Sequence, residues 1–389
     1  MLLVVVGALA AAALWYLQRR PAPDARTIPL GDKVLRFFPV NEISKVVLRA
    51  PSGTLTLEQD DDGIWVVREY YSYPAQFDKV ADLLKTLYNM TVGQVVRVRQ
   101  ASLGQMQLVA PDEQGSDSGK GTQVQCYDDS GESIAIVLIG AAKRGEARDD
   151  SPYGFAMPEG TFVRLPGNPA DLRDERAQVI LVKDTFQLGE TPDAWIDKQV
   201  FNVGNDQLRS IAITAPGGET YAMTRTNAAD QFTLPAPPKQ QVKASELATL
   251  GNALSFFTVD SVLDPAVAKT NTALAAAWTF AATTFDGVVY TIKLADTNEA
   301  AAYEQVTVKY TKPPIESVAS NIAAHAASSP DQVQESARAL DHKLAQWTFV
   351  LPALKANQLR MPKASLFEPV PEPPKAPAAE EKPAAAPET

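Results

Sequence analysis

Two amphipathic stretches of matching sequence give the clearest hydrophobic pattern in the chain. Residues 80–96, VADLLKTLYNMTVGQVV, and residues 247–263, LATLGNALSFFTVDSVL, align without a gap and are identical at six positions. In the first stretch apolar residues recur at helical spacing from Val80 to Met90, and the second repeats this stripe as far as Phe257. A β-branched run follows each stripe, so the pattern predicts a helix and then a strand, twice in one chain.

Alternating apolar and polar positions around these stretches predict antiparallel strands. Residues 43–53, ISKVVLRAPSG, correspond to residues 208–218, LRSIAITAPGG, and both end in Ala-Pro-x-Gly, which is typical of a turn. Asp78 and Ser245 stand just before the apolar stripes and are the predicted N-caps of the two helices. Further strands and hairpins are predicted at residues 55–69, 124–140, 160–165, 280–296 and 305–310.

The repeated order of elements predicts an α+β fold made of two tandem, duplicated domains. Each domain would hold an antiparallel sheet with one amphipathic helix packed on one face, because the apolar stripe of the helix needs a partner. We predict these domains at residues 34–200 and 201–368, with an alanine-rich helical insertion within residues 301–346 of the second. Residues 369–389 are rich in Pro, Ala and Glu, which predicts a disordered tail.

An uncharged apolar stretch at the beginning of the chain predicts a transmembrane helix. It runs from Leu2 to Leu17, and sixteen helical residues reach about 24 Å, close to the thickness of a bilayer core. We therefore assign residues 1–20 to a membrane anchor and residues 21–33 to a linker. The alternative is a cleaved signal peptide, because Ala8-Leu9-Ala10 resembles a small-residue cleavage site.

The composition narrows the classes of function. The 389 residues carry a net charge of −10, and so acidic a surface repels phosphate backbones, which disfavours nucleic acid as a partner. The chain contains one cysteine, Cys126, and two histidines, His325 and His342. Histidine is the usual acid–base catalyst and the commonest metal ligand, so its scarcity disfavours both kinds of chemistry.

Several stretches match known ligand sites only in part. Residues 115–122, GSDSGKGT, lack the first glycine of a phosphate loop, and residues 59–63, QDDDG, lack the spacing of a calcium loop. Cys126 has no identifiable base beside it, and neither His325 nor His342 has a second ligand at metal-binding spacing. We therefore predict no catalytic residue, no metal site and no cofactor.

The layout as a whole resembles the DUF4340 family, whose members carry an N-terminal anchor followed by duplicated units of this domain. The resemblance rests on the helix after YSYPAQFD, its copy at residues 247–257, PDAWIDKQVF at residues 192–201 and the terminal PKASLFEP. The family is associated with gliding-motility-type ABC transporters. The resemblance therefore implies a single-pass protein of the bacterial inner membrane, with its large C-terminal region in the periplasm. Arg19 and Arg20 favour the opposite orientation, because positive charges tend to stay in the cytoplasm.

The leading hypothesis for function is a non-catalytic, membrane-anchored envelope protein. Its tandem domains would bind membrane or envelope proteins, and the resemblance suggests subunits of an ABC-type transport complex. The alternative is an extracytoplasmic ligand-binding module that uses the cleft between the two domains. Tyr70, Tyr71 and Tyr73, at the entrance of the first helix, are the candidate ligand or partner surface. A third hypothesis is an envelope hydrolase with paired carboxylates, although no spacing identifies such a pair.

Overall fold

The computed structural model describes residues 28–114, 116–145, 158–166, 178–189, 191–270, 273–295, 302–312 and 329–370. The predicted anchor with Leu2 and Leu17, nearly all of the predicted tail, and His325 lie outside the described residues. None of the helices in the described ranges is both long and apolar enough to cross a membrane. The chain divides into two compact units, and the boundary falls between Asp197 and Lys198.

Helices make up a small part of the described residues. They are α1 (Phe77–Asn89), α2 (Ala244–Gly251), α3 (Pro265–Thr270), α4 (Pro330–Ala345) and α5 (Ala353–Leu359).

The first unit is built on an antiparallel sheet. Its nine described strands are β1 (Lys45–Ala50), β2 (Gly53–Gln59), β3 (Trp65–Val67), β4 (Tyr73–Pro74), β5 (Val92–Val96), β6 (Thr122–Tyr127), β7 (Ser133–Arg144), β8 (Pro158–Leu165) and β9 (Gln178–Val182). Their order across the sheet is β4-β3-β2-β1-β6-β7-β8-β9-β5.

The second unit contains a seven-stranded antiparallel sheet and two short strand pairs among its described residues. Its strands are β10 (Gln199–Phe201), β11 (Leu208–Thr214), β12 (Thr220–Thr224), β13 (Gln240–Val242), β14 (Phe257–Thr258), β15 (Ser261–Val262), β16 (Trp278–Thr284), β17 (Val288–Ala295), β18 (Ala302–Tyr310), β19 (Phe349–Leu351) and β20 (Phe367–Pro369). The sheet has the order β12-β11-β16-β17-β18-β19-β15, and the pairs are β10 with β14 and β13 with β20.

The two main sheets share one strand order. Read from β2 in the first unit and from β12 in the second, the seven strands follow the same path and end at β5 and β15. In each unit an α-helix, α1 or α2, precedes that last strand in the chain. The prediction of an α+β fold with mainly antiparallel sheets is therefore confirmed.

Helix α1 buries the apolar stripe that the sequence predicts. Val80, Leu83, Leu84 and Leu87 are all buried, and Met90, just after the helix, is fully buried as well. Full burial of side chains of this size contributes about 1.5–3 kcal/mol each. The stripe therefore holds the helix in the hydrophobic core of the first unit.

The predicted N-caps are wrong for both helices. Helix α1 begins after Gln76 and helix α2 after Lys243, so Asp78 and Ser245 lie inside the first turn. Strand-like backbone pairing just before each helix determines where the helix begins. The amide of Gln76 donates to the carbonyl of Trp195 at 2.7 Å, and the amide of Lys243 donates to the carbonyl of Leu366 at 2.9 Å. Each helix can begin only where this pairing ends.

Helix α2 is shorter than its hydrophobic stripe. It ends at Gly251, where an added Cβ would collide with the side chain of Asn205. Leu254 and Phe257 continue the helical spacing and are fully buried, but they lie beyond the helix. Phe257 instead pairs with Phe201 between β14 and β10, and their rings stack at a centroid distance of 4.5 Å.

Candidate functional site

An open groove of about 630 Å³ lies between strand β18 and helix α4 in the second unit. We call it the α4 groove. Seven of its nine lining residues have polar or charged side chains, and the groove is open, whereas typical small-molecule pockets are enclosed. The polar and charged residues of its lining, apart from Asp341, are Lys309, Tyr310, Gln334, Arg338, His342 and Gln346.

Local sequence explains why helix α4 forms beside this groove. Ser329 is its N-cap, and its hydroxyl accepts a hydrogen bond from the amide of Gln332 while the Gln332 side chain accepts one from the amide of Ser329. This capping box satisfies two amides that the helix leaves unpaired. Pro330 follows at the first helical position, and Ala337 and Leu344 are the buried contacts on the other side. The predicted insertion therefore contains one well-capped helix in its described part.

The groove follows one edge of strand β18. On that edge, residues 305–310 of the strand lack a strand partner among the described residues. Strand β17 pairs with β18 as far as Tyr310, whereas β19 pairs with it only from Ala302 to Glu304. Among the described residues, no strand pairs with residues 305–310 on that side. Helix α4 covers this edge, and the carboxylate of Asp341 accepts a hydrogen bond from the amide of Val308 at 2.7 Å. Covering an edge in this way protects it from uncontrolled strand pairing.

The charges in the groove are mainly positive. Lys309 and Arg338 are both exposed, and the groove's carboxylate, Asp341, is engaged by the amide of Val308. Arg338 also lies 3.8 Å from Glu335, but both side chains are exposed and such pairs contribute little. With two cations, one carboxylate and a neutral His342, the lining has a formal charge of +1, whereas the whole chain carries −10.

The tyrosines predicted as a partner surface lie in the first unit and do not share one environment. Tyr71 is exposed, Tyr70 is half-buried, and their rings are 5.5 Å apart. Tyr73 is only 4% exposed and belongs to strand β4, which pairs with β3. The placement of Tyr73 on a surface is thus corrected, because strand pairing carries its side chain into the core. Tyr71 and Ser72 both have left-handed backbone angles, with φ of 59° and 55°.

Two of the four sequence segments that suggest the family meet in the first unit. Ala75 forms an isolated β-bridge with Ile196, and the amide of Asp197 donates to the carbonyl of Pro74 at 2.9 Å. Trp195 is buried, and its indole N–H donates to the carbonyl of Gly189 at 2.9 Å. These segments therefore hold the beginning of helix α1 in place, and their role in the structure is architectural.

A buried carboxyl group lies in the core of the second unit. Glu304 is fully buried, and in the described part of the chain neither of its carboxylate oxygens has a hydrogen-bond partner. Burial raises the pKa of Glu304 well above its usual value, and the charge of Lys355 on helix α5 opposes this shift. Burial likewise lowers the pKa of Lys355, whose ammonium donates to the carbonyl of Ala253 at 3.0 Å.

The sequence pattern contains a signal for this buried carboxyl group. Glu304 occupies an inward position of strand β18, in alternation with the buried residues Val306 and Val308. A carboxylate at an apolar position of a strand is rare unless it is paired. Glu304 does not line the α4 groove, so we treat it as a core residue.

The remaining candidates from the sequence take structural positions. Cys126 is buried on strand β6, and burial raises the pKa of its thiol to about 12, which suppresses the reactive thiolate. In the loop at residues 116–122, Lys120 forms an ion pair with Asp117 at 2.9 Å. The ranges that the structure describes contain no group of three or more His, Cys, Asp or Glu arranged to hold a metal ion.

Arg225 is a further buried cation, and its hydrogen-bond partners are backbone carbonyl groups. Its guanidinium donates to the carbonyls of Leu208, Ala228, Asp230 and Asn205. Burial lowers its pKa, and the nearby negative charges oppose that shift. These bonds use four of the five guanidinium N–H groups, so this arginine ties a loop to the sheet.

Comparison with known protein families assigns the chain to a class. The sequence model described as a domain of unknown function (DUF4340) matches residues 65–276, which is more than half of the 389 residues. The chain therefore belongs to the DUF4340 family, and the predicted resemblance is confirmed. Searches among curated proteins and among solved structures each found no significant match.

Proposed function

We propose that this protein is a non-catalytic binding protein of the cell envelope, which recognises an acidic segment of a partner protein through the α4 groove. The observation that carries the proposal is the groove itself, an open channel with the cations Lys309 and Arg338 in its lining. Small-molecule sites are usually enclosed, so the open shape of the groove supports a protein segment as the occupant. Charge complementarity favours an acidic one.

The architecture also supports a duplicated origin of the two units. The seven strands of the second sheet follow the same order as seven strands of the first, and α1 and α2 hold the same place in that order. The sequence repeat at residues 80–96 and 247–263 coincides with these helices and the strands after them. Helix α4 interrupts the second copy between β18 and β19, so the proposed binding groove belongs to one copy only.

The cellular setting is the second part of the proposal. The apolar stretch from Leu2 to Leu17 supports a single membrane anchor, with the two units on the periplasmic side of a bacterial inner membrane. The periplasmic side and an ABC transporter subunit as the partner rest on the family resemblance described above.

Brief crosslinking in native membranes, followed by co-purification, tests this proposal. A groove variant, Lys309→Glu with Arg338→Glu, is compared with a matched variant, Lys85→Glu with Lys343→Glu. Lys343 lies on helix α4 outside the groove and Lys85 on helix α1, and both are exposed. Both variants change the net charge equally. We expect the wild type and the matched variant to recover one partner in a fixed ratio, and the groove variant to recover at least tenfold less.

Two results would contradict the proposal. Equal recovery by the two variants would mean that the partner does not bind the α4 groove. Turnover of a substrate by the purified protein, abolished by one carboxylate or hydroxyl substitution, would show that the protein is an enzyme.

A further inference from the structure

The first unit exposes two large apolar side chains on one short, well-ordered segment. Phe37 is 91% exposed, and Leu30 is 70% exposed. Val34 and Phe38, from the same segment, are buried. The segment therefore has an inner side that packs on the core and two apolar residues that the core does not cover.

Backbone hydrogen bonds fix this segment, so the exposure is not that of a loose end. The amide of Gly31 donates to the carbonyl of Val92 at 2.8 Å, and the amide of Val34 donates to Met90 at 2.9 Å. The carbonyl of Asp32 in turn accepts from the amide of Val92 at 2.9 Å. These bonds therefore hold the backbone of the segment in the conformation that leaves Leu30 and Phe37 exposed.

Basic and aromatic groups accompany the two exposed residues. The ammonium of Lys33 lies 4.3 Å from the centre of the Tyr88 ring and donates to the Tyr88 carbonyl at 2.8 Å. Arg36 forms an exposed ion pair with Asp32 at 3.1 Å, which leaves the segment with a net positive charge. Exposed apolar residues with Tyr, Lys and Arg beside them are the composition found at the membrane–water interface.

The chain length before this segment limits its distance from the proposed anchor. The apolar stretch and its flanking arginines end at Arg20, ten residues before Leu30. A chain extends by at most about 3.6 Å per residue, so Leu30 lies within about 36 Å of the end of the anchor. Among the described residues, this segment follows the proposed anchor most directly along the chain.

We propose that Leu30, Phe37 and Tyr88 form a lipid-contacting surface of the first unit. The two apolar side chains enter the headgroup region of the bilayer, and Lys33 and Arg36 face lipid phosphates. This inference rests on the proposed membrane anchor. According to this inference, the first unit is held against the membrane surface and does not move as a free domain connected only through the anchor.

A lipid-quenching experiment on the full-length protein tests the surface. Phe37→Cys and Leu30→Cys variants are labelled with an environment-sensitive fluorophore and reconstituted in phosphatidylcholine–phosphatidylglycerol vesicles that contain nitroxide lipid. Because Cys126 is buried, the label reacts with the introduced thiol. The matched control is Phe77→Cys, since Phe77 is 63% exposed and lies at the opposite end of helix α1 from Tyr88.

We expect nitroxide lipid to quench the probes at positions 30 and 37 at least twofold more than the probe at position 77. Equal quenching at the three positions would overturn the proposal. So would a blue-shifted probe at position 37 that lipid does not quench, because a protein would then cover the surface. Vesicle flotation distinguishes failure of the proposed anchor from failure of the proposed surface. Protein that does not float with the vesicles lacks the anchor. Protein that floats but shows no selective quenching has the anchor and lacks the lipid-contacting surface.

Discussion

Arg164 and Glu304 are buried residues of opposite charge, one in each main sheet, and they differ in how their charged groups are satisfied. Arg164 pairs with Leu138 between β7 and β8, and Glu304 pairs with Leu294 between β17 and β18. Both charged residues are buried. The guanidinium of Arg164 donates to the carbonyl of Leu108 at 3.3 Å, whereas neither oxygen of Glu304 has a hydrogen-bond partner in the described part of the chain. A buried charged group is therefore hydrogen-bonded in the first unit, whereas the buried carboxyl group of the second unit is not.

Neutralising Glu304 is expected to stabilise the protein at neutral and alkaline pH. The folded state holds the Glu304 proton more tightly than the unfolded state does, because burial raises its pKa. The stabilisation that comes from this tighter proton binding is therefore complete below the unfolded-state pKa, about 4.3. It is lost as the pH rises through the folded-state pKa. We expect Glu304→Gln to raise the free energy of unfolding by about 1–3 kcal/mol at pH 8 and to change it little at pH 4.

Urea unfolding at pH 4, 6 and 8 measures this effect. Glu335→Gln is the control, because Glu335 is exposed on helix α4 and its removal should give the same small change at every pH. A Glu304→Gln variant with the pH dependence of the wild type would show that Glu304 is solvated.

Substitutions at Leu87 and Leu254 test whether the repeated apolar stripe belongs to the hydrophobic core in both units. Both side chains are buried, so replacing either by Ala is expected to lower the free energy of unfolding by about 2–5 kcal/mol. Leu354→Ala provides the comparison, since Leu354 is 85% exposed and should change stability by less than about 0.5 kcal/mol. Denaturant unfolding curves that coincide for all three variants would contradict the described packing.

Arg225 is expected to be irreplaceable by lysine. A lysine ammonium cannot reproduce the fork that serves the carbonyls of Leu208, Ala228 and Asn205, so buried acceptors would lose their donors. We expect Arg225→Lys to cost about 2–4 kcal/mol, against a negligible change for Arg338→Lys on the exposed face of helix α4. Thermal melting of the two variants measures the difference, and equal melting temperatures would refute the role of Arg225.

The thiol of Cys126 is expected to resist modification in the folded protein. It is buried and its pKa is raised to about 12, so little thiolate is present or accessible at pH 8. A maleimide reagent should react at least 100-fold more slowly with the native protein than with the protein in guanidinium chloride. Rapid native labelling would place Cys126 on the surface.

Local patterns allow much of the fold to be predicted from sequence. The stripe of helix α1 from Val80 to Leu87 has one spacing and one buried face, and the structure keeps both. The hairpin around Gly63 needs a positive φ, which is 76° there, and Asp-Gly sequences supply it. In these cases neighbouring residues alone determine the conformation.

Distant contacts explain most of the differences. Helix α2 ends at Gly251 although the stripe continues, because Phe257 pairs with Phe201, more than fifty residues earlier in the chain. Tyr73 is buried because β4 joins the sheet beside β3. No local pattern encodes either pairing.

The α4 groove could not be predicted for the same reason. It exists because β19 pairs with β18 only as far as Glu304 and because Asp341 caps the amide of Val308, a residue 33 positions away. Sequence alone indicates the helix, through Ser329 and Gln332, but not the strand edge that it covers.

Site-specific photocrosslinking in the cell tests the central claim most directly. A photoreactive benzoyl-phenylalanine replaces Gln346, which lines the α4 groove, or Ser336, an exposed residue of helix α4 outside it. We predict one crosslinked partner at position 346, its loss when Lys309→Glu and Arg338→Glu are added, and no such product at position 336. A partner that crosslinks equally at both positions, or only at position 336, would contradict the proposal that the α4 groove is the binding site.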